Sequence, residues 1–223
     1  MNSPQSVVTR SPESILATNK VLKNTYMLLA LTLLFSAFTA WVSMNFITPS
    51  RGMSLGASMA AMGLIWFALP RTAHSAAGIG VVFAITGLLG FSLGPILSYY
   101  LNMGNGSQVV MTALGGTGAI FLALSGYVLT TQKDFTFMGG FLITGLLVLI
   151  GGMIANIFLN IPAMGLAMSA GIIMIMSGFI LYDTSRIVRG GETNYIHATV
   201  GLYLNLYNIF TSLLHILGIF GDD

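Results

Sequence analysis

Long runs of apolar residues, separated by short polar segments, dominate the pattern of this chain. A helix needs about 20 apolar residues to cross the ~30 Å hydrocarbon core of a bilayer, so the lengths of the charge-free runs predict the number of crossings. Residues 24–50 and 52–70 each hold one crossing, residues 72–132 and 135–182 are each long enough for two, and residues 193–221 hold a last, more polar one. The pattern therefore predicts seven transmembrane helices.

Turn-forming residues divide the two longest runs. Residues 102–107 contain two asparagines and two glycines, and Asn160 and Pro162 interrupt the later run. The chain is thus predicted to be all-α, a polytopic seven-helix bundle. Its last span contains Asn and His residues, so that segment could instead form a re-entrant or interfacial helix. The predicted spans are residues 26–46, 53–69, 76–97, 109–130, 138–159, 163–182 and 197–218.

The composition excludes a water-soluble globular fold. Only 8 basic and 6 acidic residues occur among 223, or 6 %, where a soluble domain has roughly 25 %. A net charge of +2 spread over so few residues cannot form a nucleic-acid footprint, so nucleic acid is not expected as a partner. The absence of cysteine excludes disulfides and thiolate chemistry.

The basic residues are distributed unevenly between the two ends of the predicted bundle. Cytoplasmic loops of membrane proteins carry an excess of Lys and Arg. Seven basic residues fall at the end that carries the N-terminus, and only Arg51 falls at the other. The bias predicts a cytoplasmic N-terminus and, after seven spans, a periplasmic C-terminus. The seven are Arg10, Lys20, Lys23, Arg71, Lys133, Arg186 and Arg189.

The first 25 residues differ in character from the rest. They are polar, contain Pro4 and Pro12, and show no periodic apolar face. Such a composition is typical of a flexible segment. We therefore expect a cytoplasmic tail over residues 1–25, a transmembrane domain over residues 26–221 and a short C-terminal end at residues 222–223.

Sequence motifs give little support for an enzyme. Residues 52–56 match G-x-S-x-G, but a nucleophile elbow needs a preceding strand, and these residues open a predicted membrane helix. His74, His197 and His215 do not cluster at the spacing of metal ligands. We expect no catalytic site, no metal site and no cofactor.

Asp183 is the only carboxylate within or at the edge of an apolar run. An ionisable group inside a membrane is by default a candidate functional residue. Asp183 also lies three residues before Arg186, at the predicted cytoplasmic interface that Arg186 and Arg189 mark, so an ion pair on one helix face is the other interpretation. The sequence leaves both interpretations open.

The last predicted span carries a stripe of polar or small residues at intervals of 4, 4, 3, 4 and 3 residues. This spacing places them on one face of a helix, which must face the bundle interior or a water-filled cavity. The stripe could provide interhelical hydrogen bonds or line a pathway. Its members are His197, Gly201, Asn205, Asn208, Ser212 and His215.

Three segments together resemble a known family. They are GLLGFSLGPILSYY (residues 87–100), FILYDTSRI (residues 179–187) and GGETNYIHATVGLYLNLYNIFTSLLHILG (residues 190–218). These segments are similar to those of the Bax inhibitor-1 (TMBIM) family of seven-helix membrane proteins. The resemblance extends over essentially the whole chain.

This resemblance implies one function that the residues only partly support. Members of the wider family are associated with a pH-sensitive calcium leak, in which aspartates of the sixth and seventh helices share a proton. Asp183 matches the first aspartate, but Asn205 occupies the second position, and an amide cannot ionise. His215 stands where a late arginine is expected. Asp183, Asn205 and His215 are thus the candidate pore or proton-sensing residues, and a Ca²⁺ leak becomes the alternative function.

Three further segments resemble those of a bacterial branch of the family, and this resemblance implies a different function. They are KVLKNTY (residues 20–26), YVLTTQKD (residues 127–134) and GMIANIFL (residues 152–159). The resemblance suggests an inner-membrane regulator that binds the ATP-dependent membrane protease FtsH together with the membrane proteins HflK and HflC. Such a regulator would limit the degradation of other membrane proteins. An ATP-driven protease must grip an unfolded end of its substrate, and residues 1–20 are predicted to be such an end.

Overall fold

The structure is a computed structural model that describes residues 12–47 and 49–220, with side chains from residue 20 onward. The described part contains α-helices, short π-helical and 3₁₀ segments, and no strand. The α-helices are α1 (Pro12–Val42), α2 (Arg51–Gly63), α3 (Leu69–Thr72), α4 (Ala77–Leu101), α5 (Gly106–Thr131), α6 (Gly139–Leu159), α7 (Pro162–Val188) and α8 (Tyr195–Phe220). The π-helical segments are Ser43–Ile47 and Leu64–Ala68, and the 3₁₀ segment is Thr136–Met138.

Seven helical stretches in the described part are long and apolar enough to cross a membrane, which confirms the predicted fold class. The second stretch is composite, because α2, a π-helical segment and α3 follow one another without a break. The last stretch is a continuous helix and shows no re-entrant break. The stretches are Lys20–Ile47, Arg51–Thr72, Ala77–Leu101, Gly106–Thr131, Thr136–Leu159, Pro162–Val188 and Tyr195–Phe220.

The N-terminal segment departs from its prediction. Helix α1 begins at Pro12, so residues 12–25 of the predicted flexible tail are helical. Proline suits the first turn of a helix, because the N–H that it lacks has no partner there. Polar side chains end a membrane span but need not end a helix. Residues 1–11 and 221–223 lie outside the described residues, and with them the predicted C-terminal end.

The turn at Asn160 forms where the sequence predicted it. Helix α6 ends at Leu159, and Asn160 adopts the left-handed conformation with φ of 50°. Pro162 then occupies the first turn of α7. A left-handed asparagine followed by proline reverses the chain within two residues.

Helix α8 lies at the centre of the bundle. It packs against α1, α4, α5 and α7, whereas α6 packs on α7 and α2 packs on α4. The side chains of Leu202, Tyr203, Ile209 and Leu214 of α8 are almost completely buried. The last predicted span, although the most polar in sequence, therefore forms the core.

Small residues bring α4 close to α1 and to the π-helical segment Ser43–Ile47 that follows it. A side chain at Gly90 would overlap the backbone of Ser36, and one at Gly94 would overlap Ser43. At Gly56 of α2, by contrast, an added side chain would meet nothing within 4 Å. Close approach at small residues is a main source of helix association in lipid.

Pro95 lies within α4 and leaves one backbone carbonyl without its helical partner. Proline has no N–H to donate to the residue four positions earlier, which is Phe91. The Ser43 hydroxyl donates to the Phe91 carbonyl oxygen over 2.7 Å. The contact between α4 and the π-helical segment Ser43–Ile47 thus compensates for the proline, since no water is available in lipid to do so.

The charged residues gather at one end of the bundle, formed by residues 71–77, 132–135 and 186–195, which we call the charged end. There Arg189 pairs with Asp134 over 3.2 Å and Arg186 with Glu192 over 3.4 Å. The opposite end is formed by residues 49–51, 102–106 and 160–161. Among the described residues of that end, Arg51 is the one basic residue.

Candidate functional site

The structure joins Asp183 of α7 to Asn205 of α8. The Asn205 side-chain amide donates to Asp183 Oδ2 over 2.9 Å. Asn205 is buried and Asp183 is partly buried. Two residues that lie 22 positions apart in the sequence therefore form one polar contact between the two helices, near the charged end.

Gly201 makes room for this contact. It lies one turn before Asn205 on α8, and a Cβ added there would stand 3.3 Å from Asp183 Oδ2. A larger side chain would therefore push the carboxylate away from α8. Gly201 belongs to the polar stripe predicted from the sequence, because it lies on the same face of α8 as Asn205. At this position the absence of a side chain leaves room for the Asp183 carboxylate.

Arg186 does not pair with Asp183, which makes the ion-pair interpretation wrong. Its guanidinium instead contacts Glu192 and lies 5.6 Å from the centroid of the Tyr182 ring. Gly190 adopts a positive φ of 75°, and this turn folds the chain so that Glu192 reaches Arg186. Asp183 faces α8, whereas Arg186 faces the loop.

A polar cavity of about 250 Å³ adjoins the carboxylate. It can hold several waters, since a water occupies about 30 Å³ in the liquid. In the part of the chain that the structure describes, no group of three or more His, Cys, Asp or Glu side chains is arranged to hold a metal ion. The cavity is lined by Asp183, Arg186, Ile187, Glu192, His197 and Ala198.

Asn194 connects two loops at the charged end. Its side-chain amide donates to the Ala73 carbonyl oxygen over 2.9 Å and approaches His74 Nδ1 to 3.4 Å. Its Oδ1 accepts from the backbone N–H of Ile196 over 2.9 Å, so Asn194 also caps the start of α8. The His74 and His197 rings lie 6.5 Å apart between centroids.

Asp134, outside the membrane-spanning segments, anchors the chain ahead of α6. The backbone N–H and the hydroxyl of Thr136 both donate to Asp134 Oδ1, over 2.9 and 2.6 Å. These hydrogen bonds lower the pKa of Asp134 below its usual value, and Arg189 acts in the same direction. Arg189, predicted at the cytoplasmic interface, therefore belongs to this anchor.

The rest of the polar stripe divides into separate contacts. Asn208 donates to the Leu204 carbonyl oxygen of its own helix over 2.8 Å, and Ser212 is buried. His215 Nδ1 lies 2.8 Å from the Ser169 hydroxyl oxygen of α7. The stripe thus makes two polar contacts with α7, with Asn208 between them bonded to α8 itself.

The sequence analysis missed Ser169 and Asn194, and it weighed His74 only as a metal ligand. A serine beside an imidazole is a pairing used in nucleophilic catalysis, but that chemistry also needs a group that orients the imidazole. Among the described residues, no carboxylate bonds to His215. Only Asn194 gave a usable signal, because Asn before an apolar helix is a common N-cap.

Comparison with known proteins gives consistent matches. Residues 18–222 match the family model described as "Inhibitor of apoptosis-promoting Bax1". The chain is 53 % identical over 210 residues to "Modulator of FtsH protease YccA" of Escherichia coli K12, and the match covers 94 % of each chain. "Inner membrane protein YccA" of E. coli O6:H1 gives the same identity and coverage. An "Uncharacterized membrane protein" of Vibrio cholerae is 48 % identical, with all of both chains covered.

Proposed function

The chain belongs to the Bax inhibitor-1 family, and from that premise we propose that it is an inner-membrane protein that binds and modulates the protease FtsH. The observation that carries this proposal is the 53 % identity to the E. coli modulator over 94 % of both chains. The family model also matches residues 18–222, which include all seven membrane-spanning stretches. We also propose HflK and HflC as partners, because the resemblance of this chain to the bacterial branch of the family implies them.

The mechanism rests on the contrast between the N-terminal segment and the bundle. Helix α1 continues beyond Lys20 to Pro12, and eight helical residues extend about 12 Å at 1.5 Å each. This extension places the start of α1 before the membrane-spanning stretch that begins at Lys20. The charged end lies on the same side of the bundle as the start of α1. If the N-terminus is cytoplasmic, the charged end therefore faces the cytoplasm and the ATP-driven part of the protease.

A well-packed bundle resists extraction once its tail is gripped. Tyr203 of α8 bonds to the Ser36 hydroxyl of α1 over 2.6 Å and to the Thr86 carbonyl of α4 over 3.3 Å. Extraction of α1 must therefore break contacts with the central helix. A protease held in this way degrades other membrane proteins more slowly.

Deletion of residues 2–11 tests the proposal, because it removes sequence only before α1. We expect the variant to lose most of its turnover by FtsH and to modulate it less, whereas deletion of residues 222–223 changes neither. Co-purification with FtsH, HflK and HflC from detergent-solubilised membranes provides the binding measurement. The tail mechanism would be contradicted if FtsH degraded the deletion variant as fast as the wild type and the variant still protected other substrates equally well. If the intact chain does not co-purify with FtsH, the proposed function itself is contradicted.

A Ca²⁺ leak is the second candidate, because the cavity brings Asp183 and Glu192 to the charged end. Against it, Asn205 donates an amide hydrogen bond where a second acid would share a proton. If the leak exists, Asp183→Asn should change calcium flux into liposomes that contain the pure protein. Equal flux in wild type, in this variant and in empty liposomes would reject the leak.

A further inference from the structure

An apolar cavity of about 350 Å³ opens on the side of the bundle between α1 and α5, and we call it the lateral cleft. Helix α8 forms its floor, where Leu206 and Phe210 are buried. Leu33 of α1 and Leu114 of α5 stand at its mouth and are 37 % and 57 % exposed. The cleft therefore opens sideways into the hydrocarbon region of the membrane. A cavity of about 150 Å³ can bind benzene, so the cleft has room for a larger apolar ligand.

The cleft exists because α1 and α5 meet near the charged end and are not filled in beyond it. At the meeting point the Tyr26 and Ser125 hydroxyls share a hydrogen bond, and the Tyr26 and Phe121 ring centroids lie 5.8 Å apart. Farther along, the two walls contain the small residues Ala37 and Gly118. A Cβ added to Gly118 would meet no atom within 4 Å, so the protein itself leaves this space open.

The chemistry of the lining indicates a hydrocarbon ligand. None of the described residues that line the cleft is charged. Its hydroxyl groups are already paired within the protein: Ser36 with Tyr203 over 2.6 Å, Tyr207 with Ser92 over 3.2 Å, and Thr117 with the Ala113 carbonyl oxygen over 2.7 Å. A headgroup or a peptide group would therefore lose its own hydrogen bonds in the cleft without replacement, whereas a methylene chain has none to lose.

The length of the cleft matches one leaflet. It extends along residues 33–44 of α1 and 110–121 of α5, or about 16 Å at 1.5 Å per residue. Half of the ~30 Å hydrocarbon core, the depth that the acyl chains of one leaflet fill, is about 15 Å. Both segments belong to the halves of their membrane-spanning stretches that lie toward the opposite end of the bundle. The cleft thus lies in the leaflet at that end.

The width of the cleft excludes a helix of a partner or of a second copy. A volume of about 350 Å³ spread over about 16 Å leaves a mean cross-section of about 20 Å². An α-helix with its side chains is about 10–12 Å wide, so the cross-section of the cleft is at most about a quarter of what a helix needs. A single extended chain is the occupant that fits this shape.

We propose that the lateral cleft binds one acyl chain of a glycerophospholipid from the leaflet at the opposite end. The chain lies on Leu206 and Phe210 of α8 and passes between Ala37 and Gly118. The headgroup stays at the membrane surface and contributes little to binding. The chain completes the packing around the central helix, because apolar walls without a partner lose their dispersion contacts.

Native mass spectrometry of the full-length chain in detergent tests the proposal. The probes are palmitoyl-oleoyl phosphatidylethanolamine, the phosphatidylglycerol with the same chains, and dihexanoyl phosphatidylethanolamine. We expect the wild type to retain one molecule of either long-chain lipid equally well and to release the dihexanoyl lipid, whose chains fill only part of the cleft. Gly118→Leu places a side chain in the cleft and should weaken retention about tenfold, because the displaced methylene groups lose their contacts.

Gly115→Leu is the matched control. Gly115 lies about one turn before Gly118 on α5 and also has no atom within 4 Å of an added Cβ, but it does not line the cleft. This variant should retain the long-chain lipids as the wild type does.

Three results would overturn the proposal. The first is equal retention by Gly118→Leu and the wild type, and the second is retention of the dihexanoyl lipid as strong as that of its long-chain counterpart. The third is a wild-type dimer that Gly118→Leu abolishes, which would assign the cleft to a second copy. If Gly118→Leu misfolds, Ala37→Leu narrows the cleft from α1 and decides the same question.

Discussion

Helices α8 and α6 occupy opposite places in the bundle, and the more polar of the two is the buried one. In the most apolar stretch of α8, 50 % of the residues are buried inside the protein. In the corresponding stretch of the span that contains α6, 11 % are buried. Yet α8 carries His197, Asn205, Asn208 and His215, whereas α6 carries Asn156 as its one side-chain amide. The polar helix is at the centre, and the apolar helix faces lipid.

The difference shows how a bundle is organised in lipid. The hydrophobic effect does not drive helices together there, so hydrogen bonds and close packing decide which helix lies inside. Helix α8 bonds to α7 through Asn205, to α1 through Tyr203 and to α4 through the same tyrosine. Helix α6 meets α7 through an apolar contact that includes Leu142, Leu149 and Ile175.

Truncation of one aromatic side chain in each helix should give the largest contrast. Tyr203→Ala removes a fully buried ring from α8 and its hydrogen bonds to two helices, and we expect a loss of about 3–5 kcal/mol in the free energy of unfolding. Phe141→Ala removes a ring of α6 that is 68 % exposed, and we expect less than about 0.5 kcal/mol. Steric trapping in bicelles measures both values. Equal losses would show that α8 is not the core.

A smaller contrast is expected within α8 itself. Asn205→Leu leaves the Asp183 carboxylate without its amide donor, which should cost about 1–3 kcal/mol. Asn208→Leu breaks a bond within α8 only, and less than about 0.6 kcal/mol should be lost. Unfolding of both variants under the same conditions checks the difference. If Asn208→Leu is the more damaging, the contact with Asp183 does not hold α7 to α8.

The smallest effect is expected where α6 is anchored, outside the membrane. Because the pKa of Asp134 is lowered in the folded chain, its stabilising contribution is present at neutral pH and is lost as the pH falls through that pKa. Asp134→Asn should therefore be slightly less stable than the wild type near neutral pH, and the two should converge in acid. Lys133→Gln, a change in the same loop, serves as the control. A difference that persists unchanged in acid would contradict this role.

The sequence was a good guide to segments and a poor guide to partners. The break at Asn160 and the face that Asn205 and His215 share both follow from local spacing. The proximity of Arg186 suggested the wrong neighbour for Asp183, since spacing along one helix does not say which side chain a second helix presents. His74 and Ser169 gave no local signal, because their contacts lie 120 and 46 positions away.

The sequence by itself determined how many helices cross the membrane, where they begin and end to within a few turns, and which end collects the charges. These properties are set segment by segment, since the cost of placing a charged or polar group in lipid depends on that segment alone. Only the tertiary structure decided that α8 is central, that Asp183 meets Asn205 rather than Arg186, and that His215 meets Ser169. Those outcomes depend on which helix faces meet, and that is a property of the whole bundle.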